Sequence, residues 1–523
     1  MGTFNVFDNL KYLNPSFSAL ADTLNPNEYR RLQKYITNYN FYEGYHWEEM
    51  KQTEKPQVTQ NWCRRFVDKF VASEFNSGIS FKYDSQIEKD ILPYINQTWE
   101  DNNEGELLTS LGQMKSVTGD GYLGVFFENK DTPGFDDPFG LYPKGRVRLF
   151  SIPATICYPE YGDGYDTDNM ISCQVIYPVQ INNGSYLIRR FVYTKDSISV
   201  FEGNKEVAVQ PNKYGFIPII HFRNLLVSGR HFGVSDLDDL IPLNTELNLK
   251  NSDISEILDY HSAPITIVKG ARISQLEKGA NKLWGGLPKD ADVQNLELKG
   301  DLEASNRYIE NIKLAMKQVK GMPSLALGGD DLPTNLSGVA LQIAFMPLID
   351  SVKTKQSITK NRLENVNRMI SKISIEEGLL EVANFNAKQI YNHKVTFGDI
   401  LPKDLKSELE SIQQELKMGL ESREGAAIRL KKDNIEELLA DVAEDKASNP
   451  MFYGKTPIAL AAGQILVDTE TGEEIAENKI EMDEEGVSTK KGIASKKVTG
   501  KNKEGQDLKI ISGNGNSNPG DSN

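Results

Sequence analysis

GMPSLALGGDDLPTNLSGVALQIAFMPLI, residues 321–349, joins a glycine-bearing loop and a pair of acids to a long apolar helical run. A loop that cradles phosphate aims backbone N–H groups at the anion and usually supplies a lysine after its last glycine. Here the charged residues are Asp330 and Asp331, and no Lys or Arg lies between Gly321 and Ile349. A phosphate held in this loop would be repelled. The run that follows, 336–373, reads as one helix of roughly 57 Å. Its first part is apolar nearly all round and is expected to be buried, with a kink at Pro347. Val352, Thr359, Leu363, Val366, Ile370 and Ile373 then form a narrower stripe. Such a helix must span the protein and pack on neighbours.

Working upstream, 301–320 reads as a helix and 234–260 as another. Between them lie two strand-like segments, APITIVKG at 263–270 and DVQNLEL at 292–298, so two helices carry a small insert away from the body. Lys313, Lys317 and Lys320 fall at i, i+4 and i+7 on the second helix. They form either a solvated face or, if the chain assembles around an axis, a positive ring. From 121 to 222 the pattern is short strands between turns, an antiparallel β region. Ahead of it are helices: Asn25 and Pro26 make an N-cap and first-turn proline, and Trp62, Phe66, Phe70 and Phe75 share one side of a second helix. A third, around Leu107 to Val117, ends at Gly119. Downstream, HKVTFGDI at 393–400 reads as a strand, 402–445 as a charged helical pair, and the Gly-, Ser- and Asn-rich remainder as disordered. The class is α+β.

The 523 residues are 39% hydrophobic and 25% charged, which suits a globular protein of several units. With 59 Lys and Arg against 74 Asp and Glu, the net charge of −15 argues against a sequence-independent grip on nucleic acid. The N-terminal stretch lacks the pattern of a secretory signal, and no apolar run reaches the ~20 residues of a membrane span, so no membrane partner is expected. Cys63, Cys157 and Cys173 are an odd set with no C-x-x-C spacing, which argues against disulfides and structural zinc.

No catalytic or cofactor motif survives its context. GDGYLG at 119–124 follows a helix and precedes a strand, the inverse of a dinucleotide site, and reads as a turn. GKT at 454–456 lacks the first glycine of a phosphate loop. His46, His221, His231, His261 and His393 contain no H-E-x-x-H and no i, i+4 pair, and are assigned to core or surface. Glu160, Asp163, Asp166 and Asp168 cluster in EYGDGYDTDN, which lacks the EF-hand glycine and reads as a solvated hairpin turn rather than a cation site. No cofactor or metal is expected.

The order of NFYEGYHW, TQNWCRRFVDKFVASEFNSG, GDGYLGVFFEN, YGFIPIIHFRN, FGVSDLDDLIPLNTELN, KGMPSLALGG and LSGVALQIAFMPL resembles the portal proteins of tailed double-stranded DNA bacteriophages, SPP1-like. LPKDLKSELESIQQELKMGLESREGAAIRL is similar to that family's crown helices. The resemblance implies a portal fold: an α/β wing (1–235, closed by the long helix and a strand over 336–398), a two-helix stem (236–262 and 301–322), and a small α/β clip (263–300). It further implies a tunnel loop (323–335), a helical crown (399–446) and a disordered tail (447–523). It implies a ring of usually twelve copies at one capsid vertex of the virion, assembled in the host cytoplasm. Double-stranded DNA would pass through it, and terminase motor, major capsid protein and head-tail adaptor or neck proteins would dock. On that reading Asp330, Asp331, Thr334 and Asn335 line the tunnel loop, Lys313, Lys317 and Lys320 face the channel, and Lys278, Lys282 and Trp284 bind partners at the clip. A packaging ATPase would need the missing phosphate loop. A scaffold or adaptor without a channel would not need a helix-insert-helix joined to a loop and spanning helix.

Overall fold

The computed structural model describes residues 24–50, 56–84, 87–131, 135–162, 166–180, 186–262, 266–269, 292–295, 302–328, 338–382, 385–400, 405–430 and 438–443. It also describes five short stretches between 464 and 512. Two units are distinguished, Met1–Pro402 and Lys403–Asn523.

The first unit opens with α1 (Pro26–Glu43), where the Asn25 side chain accepts from the N–H groups of Asn27 and Glu28, and Glu28 returns a bond to the Asn25 N–H. The Asn25 cap and the first-turn Pro26 are what the Asn-Pro pair predicted, and Glu28 completes a capping box. After α2 (His46–Met50), Asn61 caps α3 (Trp62–Phe75), and β1 (Ile79–Lys82) follows. Helix α4 (Glu88–Asp101) escaped the sequence reading because Pro93 sits inside it. Proline removes one backbone donor, but Ile91, Ile95 and Trp99 recur every four residues and bury almost completely, which outweighs that loss. Helix α5 (Glu104–Thr118) ends at Gly119, and β2 (Asp120–Glu128) begins at once, so GDGYLG is the helix-to-strand turn expected.

Gly119 has φ +95°, and a Cβ there would stand 2.7 Å from the Gly233 carbonyl oxygen; the reciprocal distance from Gly233 to the Gly119 oxygen is 2.2 Å. Two backbones touch at this point, and only glycine fits on either side.

The β region is antiparallel throughout, in two sheets. One has the order β3 (Arg146–Ile152), β2, β9 (Ile219–Arg223). The other runs in chain order through β4 (Cys157–Tyr161), β5 (Met170–Gln180), β6 (Tyr186–Tyr193), β7 (Ser197–Glu202) and β8 (Lys205–Pro211). Cys157 and Cys173, scattered in sequence, bring their Sγ atoms to 3.4 Å in the buried interior. Then come α6 (Leu240–Ser262), the antiparallel pair β10 (Thr266–Lys269) and β11 (Asp292–Asn295), and α7 (Leu302–Val319). These are the two helices and the strands of the insert; the rest of 263–300 lies outside the described residues.

Helix α8 (Gly338–Glu376) runs without interruption for 39 residues, about 58 Å, with Pro347 inside it. Val352, Thr359, Leu363, Val366, Ile370 and Ile373 are all buried, as the stripe predicted, against α3, α4 and β9. The first part of the helix differs from expectation. Ile343 and Met346 are 63% and 51% exposed, and Gln342, Ala344 and Pro347 are exposed as well. Phe345 and Leu348 bury one face of this segment in the core, while among the described residues nothing covers the opposite face that carries Ile343 and Met346. Helix α9 (Ala387–Tyr391) and β12 (Lys394–Phe397), paired with β1, close the unit.

The second unit contains α10 (Leu405–Met418) and α11 (Arg423–Arg429), joined through Gly419 and tied by Arg429 to Glu415 at 2.5 Å. The tail expected to be disordered carries strands β13 (Gln464–Asp468), β14 (Glu474–Glu477) and β17 (Leu508–Ser512) in one sheet. A separate pair is β15 (Ile480–Met482) with β16 (Ser488–Lys490). The short β-branched runs QILVD and LKIIS are local strand signals that a composition averaged over Gly, Ser and Asn conceals.

Candidate functional site

The segment around the acidic loop is anchored on both sides by short-range chemistry. Helix α7 ends in a Schellman motif: the Gly321 N–H bonds the Gln318 carbonyl, the Met322 N–H bonds the Lys317 carbonyl, and Gly321 has φ +59°. Met322 is buried, a 3₁₀ turn over Ser324–Leu327 follows, Leu327 is buried, and Gly328 turns the chain at φ +73°. The Arg65 guanidinium on α3 donates to the Leu327 carbonyl. The chain is thus held up to residue 328 and again from 338. Asp330, Asp331, Thr334 and Asn335 lie between, outside the described residues, as do Lys278, Lys282 and Trp284 in the insert and the GKT of the tail.

The three stripe lysines are described, and each has a partner within the protomer. Lys313 pairs with Glu310 at 2.9 Å, one turn back. Lys317 donates to Ser324 Oγ at 3.1 Å and stands 6.0 Å from the Trp62 ring centroid. Lys320, its side chain only 8% exposed, pairs with Asp239 at 2.9 Å, which ties the end of α7 to the start of α6. Ile309, Ile312 and Met316 bury the inner face of α7, while Tyr308, Leu314 and Val319 are about half exposed. Lys317 and Lys320 therefore brace the base of the loop.

Helix α6 is moored by a device the sequence reading missed. Asn244 Oδ1 accepts from the N–H groups of Trp62 and Cys63, Asn248 Oδ1 from that of Gln60, and Ser252 Oγ from that of Val58. Asn248 Nδ2 also bonds His46 Nδ1 at 2.6 Å. All three α6 residues are fully buried. Their spacing of four is the signal that was available: a polar stripe on a helix whose partner is an extended strand of backbone rather than water.

The long helix is fastened by buried charge. Lys115 Nζ meets Glu74 Oε1 at 2.5 Å and Thr359 Oγ1 at 2.7 Å, and Thr359 in turn donates to Glu74 at 2.8 Å. Burial lowers the Lys115 ammonium below its ordinary value, and Glu74 opposes that shift. Lys355 pairs with Asp236, both buried, with its Nζ 4.4 Å from the Phe70 ring centroid. Trp99 Nε1 donates to Asn367 Oδ1 at 2.8 Å. The part of α8 beyond residue 352 is thereby clamped to α3, α4, α5 and the segment before α6.

A second polar cluster is largely buried, with Tyr161 and His221 lining a cleft beside α8 and Tyr35 and Asp120 lining another. Asp120 accepts from Tyr35 Oη at 2.6 Å, from the Gly233 N–H at 2.7 Å and bonds His221 Nε2 at 2.7 Å, while His221 Nδ1 contacts the Tyr161 hydroxyl. Tyr35, Asp120, Tyr122 and His221 are buried. Burial lowers His221 below its ordinary value, against the pull of Asp120, and likewise lowers His46 and His393. Cys63 is pushed up to about 12 by burial. These are groups of the core. Glu160 and Asp168 of the acidic cluster are also engaged, Glu160 by Ser172 Oγ at 2.9 Å and Asp168 by two arginines. Among the described residues no group of three or more acidic, His or Cys side chains could hold a metal ion, and no helix is long and apolar enough to cross a membrane.

The histidines make stability depend on pH in a defined direction. An unfolded chain takes up protons near the ordinary value of 6.5, whereas these folded imidazoles resist protonation. Their contribution is fully present above that value and is lost as pH falls below it. The thermal midpoint should drop between about pH 7.5 and about pH 5.5. A midpoint that is flat or rises over this window would show that the three imidazoles are protonated in the fold.

A family model described as phage portal protein, SPP1 Gp6-like, matches residues 21–451. Two solved structures are similar at 13% identity, each over 70% of this chain and 89% of the other. They are the neck of an empty GTA particle computed with C6 symmetry, at a TM-score of 0.40, and the virion of a native gene transfer agent particle, at 0.37. No curated protein matches.

Proposed function

We propose, since the chain belongs to the family of SPP1 Gp6-like phage portal proteins, that it is a structural component that assembles as a ring, usually of twelve copies, at one capsid vertex of the virion. Genomic double-stranded DNA is packaged and ejected through the ring's axial channel. In this reading α6 and α7 are the stem, β10 and β11 belong to the clip, 323–335 is the tunnel loop, and α10 and α11 belong to the crown. The observation that carries the ring is the first part of α8, where Ile343 and Met346 are exposed on an apolar helix that must be covered. A neighbouring copy, related by rotation, supplies that cover. Negative-stain imaging of the purified protein tests the proposal: rings with an axial hole support it, and particles of one or two copies overturn it.

The acidic loop then has a mechanical task. Asp330 and Asp331 from every copy face a passing polyanion and repel its phosphates, so DNA moves in either direction without being held. Lys317 and Lys320 stiffen the base from which the loop hangs, rather than offering free charge to the DNA. Asp330→Lys with Asp331→Lys should make the channel adhere to DNA and slow packaging and ejection by at least about tenfold, with ring assembly unchanged. Unaltered packaging kinetics in that variant would remove the loop from the mechanism. The terminase motor, the head-tail adaptor or neck proteins and the major capsid protein are the assembly partners in this reading. Lys278, Lys282 and Trp284 of the clip form one docking surface for them in this reading, Trp being a residue type enriched among the anchors of such contacts.

A further inference from the structure

A cleft of about 480 Å³ lies between β9 and the clamped part of α8, away from the loop and the exposed start of that helix. Its floor is apolar, with Phe216, Met369 and Tyr391, and its rim carries Lys195, Arg368 and Lys372. The chain already seats one carboxylate there: Asp168 is held by Arg223 and by Arg362 Nη2, the latter at 2.8 Å. Arg368 donates to the Tyr391 carbonyl and to Asn365, with Glu364 at 3.7 Å. Lys372 has its Nζ 5.7 Å from the Phe216 ring centroid. Neither Lys372 nor Lys195 has a carboxylate at ion-pair distance among the described residues.

We propose that this cleft docks a short acidic segment of a partner protein, one that places an apolar side chain on the Phe216, Met369 and Tyr391 floor and carboxylates against Lys195, Arg368 and Lys372. Two features point to that occupant. A cationic rim on a protein of net charge −15 is a local reversal of sign, and such reversals steer oppositely charged partners. The apolar floor calls for a side chain with no charge, which a phosphodiester backbone lacks. The volume falls in the range of pre-formed small-ligand sites, about 300–1,000 Å³, so a few residues of extended peptide fit and a folded domain does not. Met369, Arg362, Arg368 and Lys372 sit on one helix already fixed by the core, and Phe216 and Tyr391 pack against that core from the turn before β9 and the end of α9, so the site needs little ordering before it binds.

The test uses the full-length chain and a fluorescein-labelled peptide, Glu-Asp-Phe-Glu-Leu-Glu-Asp, followed by fluorescence anisotropy. Binding should weaken as salt rises, and Lys195→Glu with Lys372→Glu should weaken it by about tenfold or more, with the thermal midpoint unchanged. A companion peptide with Ser in place of Phe and Leu should bind at least several-fold more weakly. The proposal is overturned if the wild-type chain does not bind the peptide, if the double variant binds it as well as wild type, or if the Ser peptide binds equally. It is also overturned if a single-stranded oligonucleotide binds more tightly and displaces the peptide, which would make the cleft a nucleic-acid site.

Discussion

Ile343→Asp combined with Met346→Asp should leave the chain folded but unable to form rings, read as a shift from high-mass particles to monomers by mass photometry. Both side chains are more than half exposed in the protomer, so the change does little to its own core. At an interface each apolar anchor contributes ~2 kcal/mol or more, and a carboxylate in its place adds the cost of burying an unpaired charge. Two such changes weaken each contact by well over a hundredfold. Because a ring repeats the contact at every interface, the loss acts at each one. Rings of normal mass and yield from the double variant would show that this face of α8 is not the seam between copies, and would take away the main support for the ring.

Lys355→Met should cost the fold ~3–5 kcal/mol, because it strands the buried Asp236 without its partner. The loss is read as a lower urea midpoint by tryptophan fluorescence. Adding Asp236→Leu should recover most of it, since a buried pair replaced by apolar groups is often neutral while a half-broken pair is not. The order of the three midpoints decides the matter. If Lys355→Met unfolds where the wild type does, the pair does not hold α8, and the clamp described above rests on apolar packing alone. If the double variant is as unstable as the single one, the damage lies in lost packing around Phe70 rather than in the stranded charge.

The clamp and the exposed start divide α8 into two parts with different tasks. Beyond residue 352 the helix is fixed by buried Leu363, Val366, Ile370 and Ile373 and by three polar ties, whereas over 342–347 only Phe345 is buried and Gln342, Ile343, Ala344, Met346 and Pro347 are exposed. A helix that is rigid at one end presents its other end at a defined place. That suits a surface meant to meet a copy of itself, and it sets the exit of the acidic loop, which joins α8 at its first turn.

The amino-acid sequence determined what depends on neighbours along the chain. Asn25, Pro26 and Glu28 specify the start of α1, Gly119 the turn into β2, Gly321 the end of α7, and the spacing of Val352 to Ile373 the face that α8 buries. Each of these is a contact within a turn or two, or a periodicity, and propensity and patterning read such signals directly. The candidate site was legible only as residues: the acidic loop, the lysine stripe and the helix after them stand out in the sequence, but not their partners. The tertiary structure alone decided that Lys317 and Lys320 are tied to Ser324 and Asp239. It alone showed that Asn244, Asn248 and Ser252 bind the backbone leading into and opening α3, and that Asp168 joins two arginines. It also decided that one face of the apolar start of α8, with Ile343 and Met346, is exposed while Phe345 and Leu348 beside it are buried. The physical reason is separation along the chain: Lys115 and Thr359 are 244 residues apart and Asp168 and Arg362 are 194 apart. Which distant charge meets which, and which apolar face is left exposed, follows from how the layers pack and not from any local pattern.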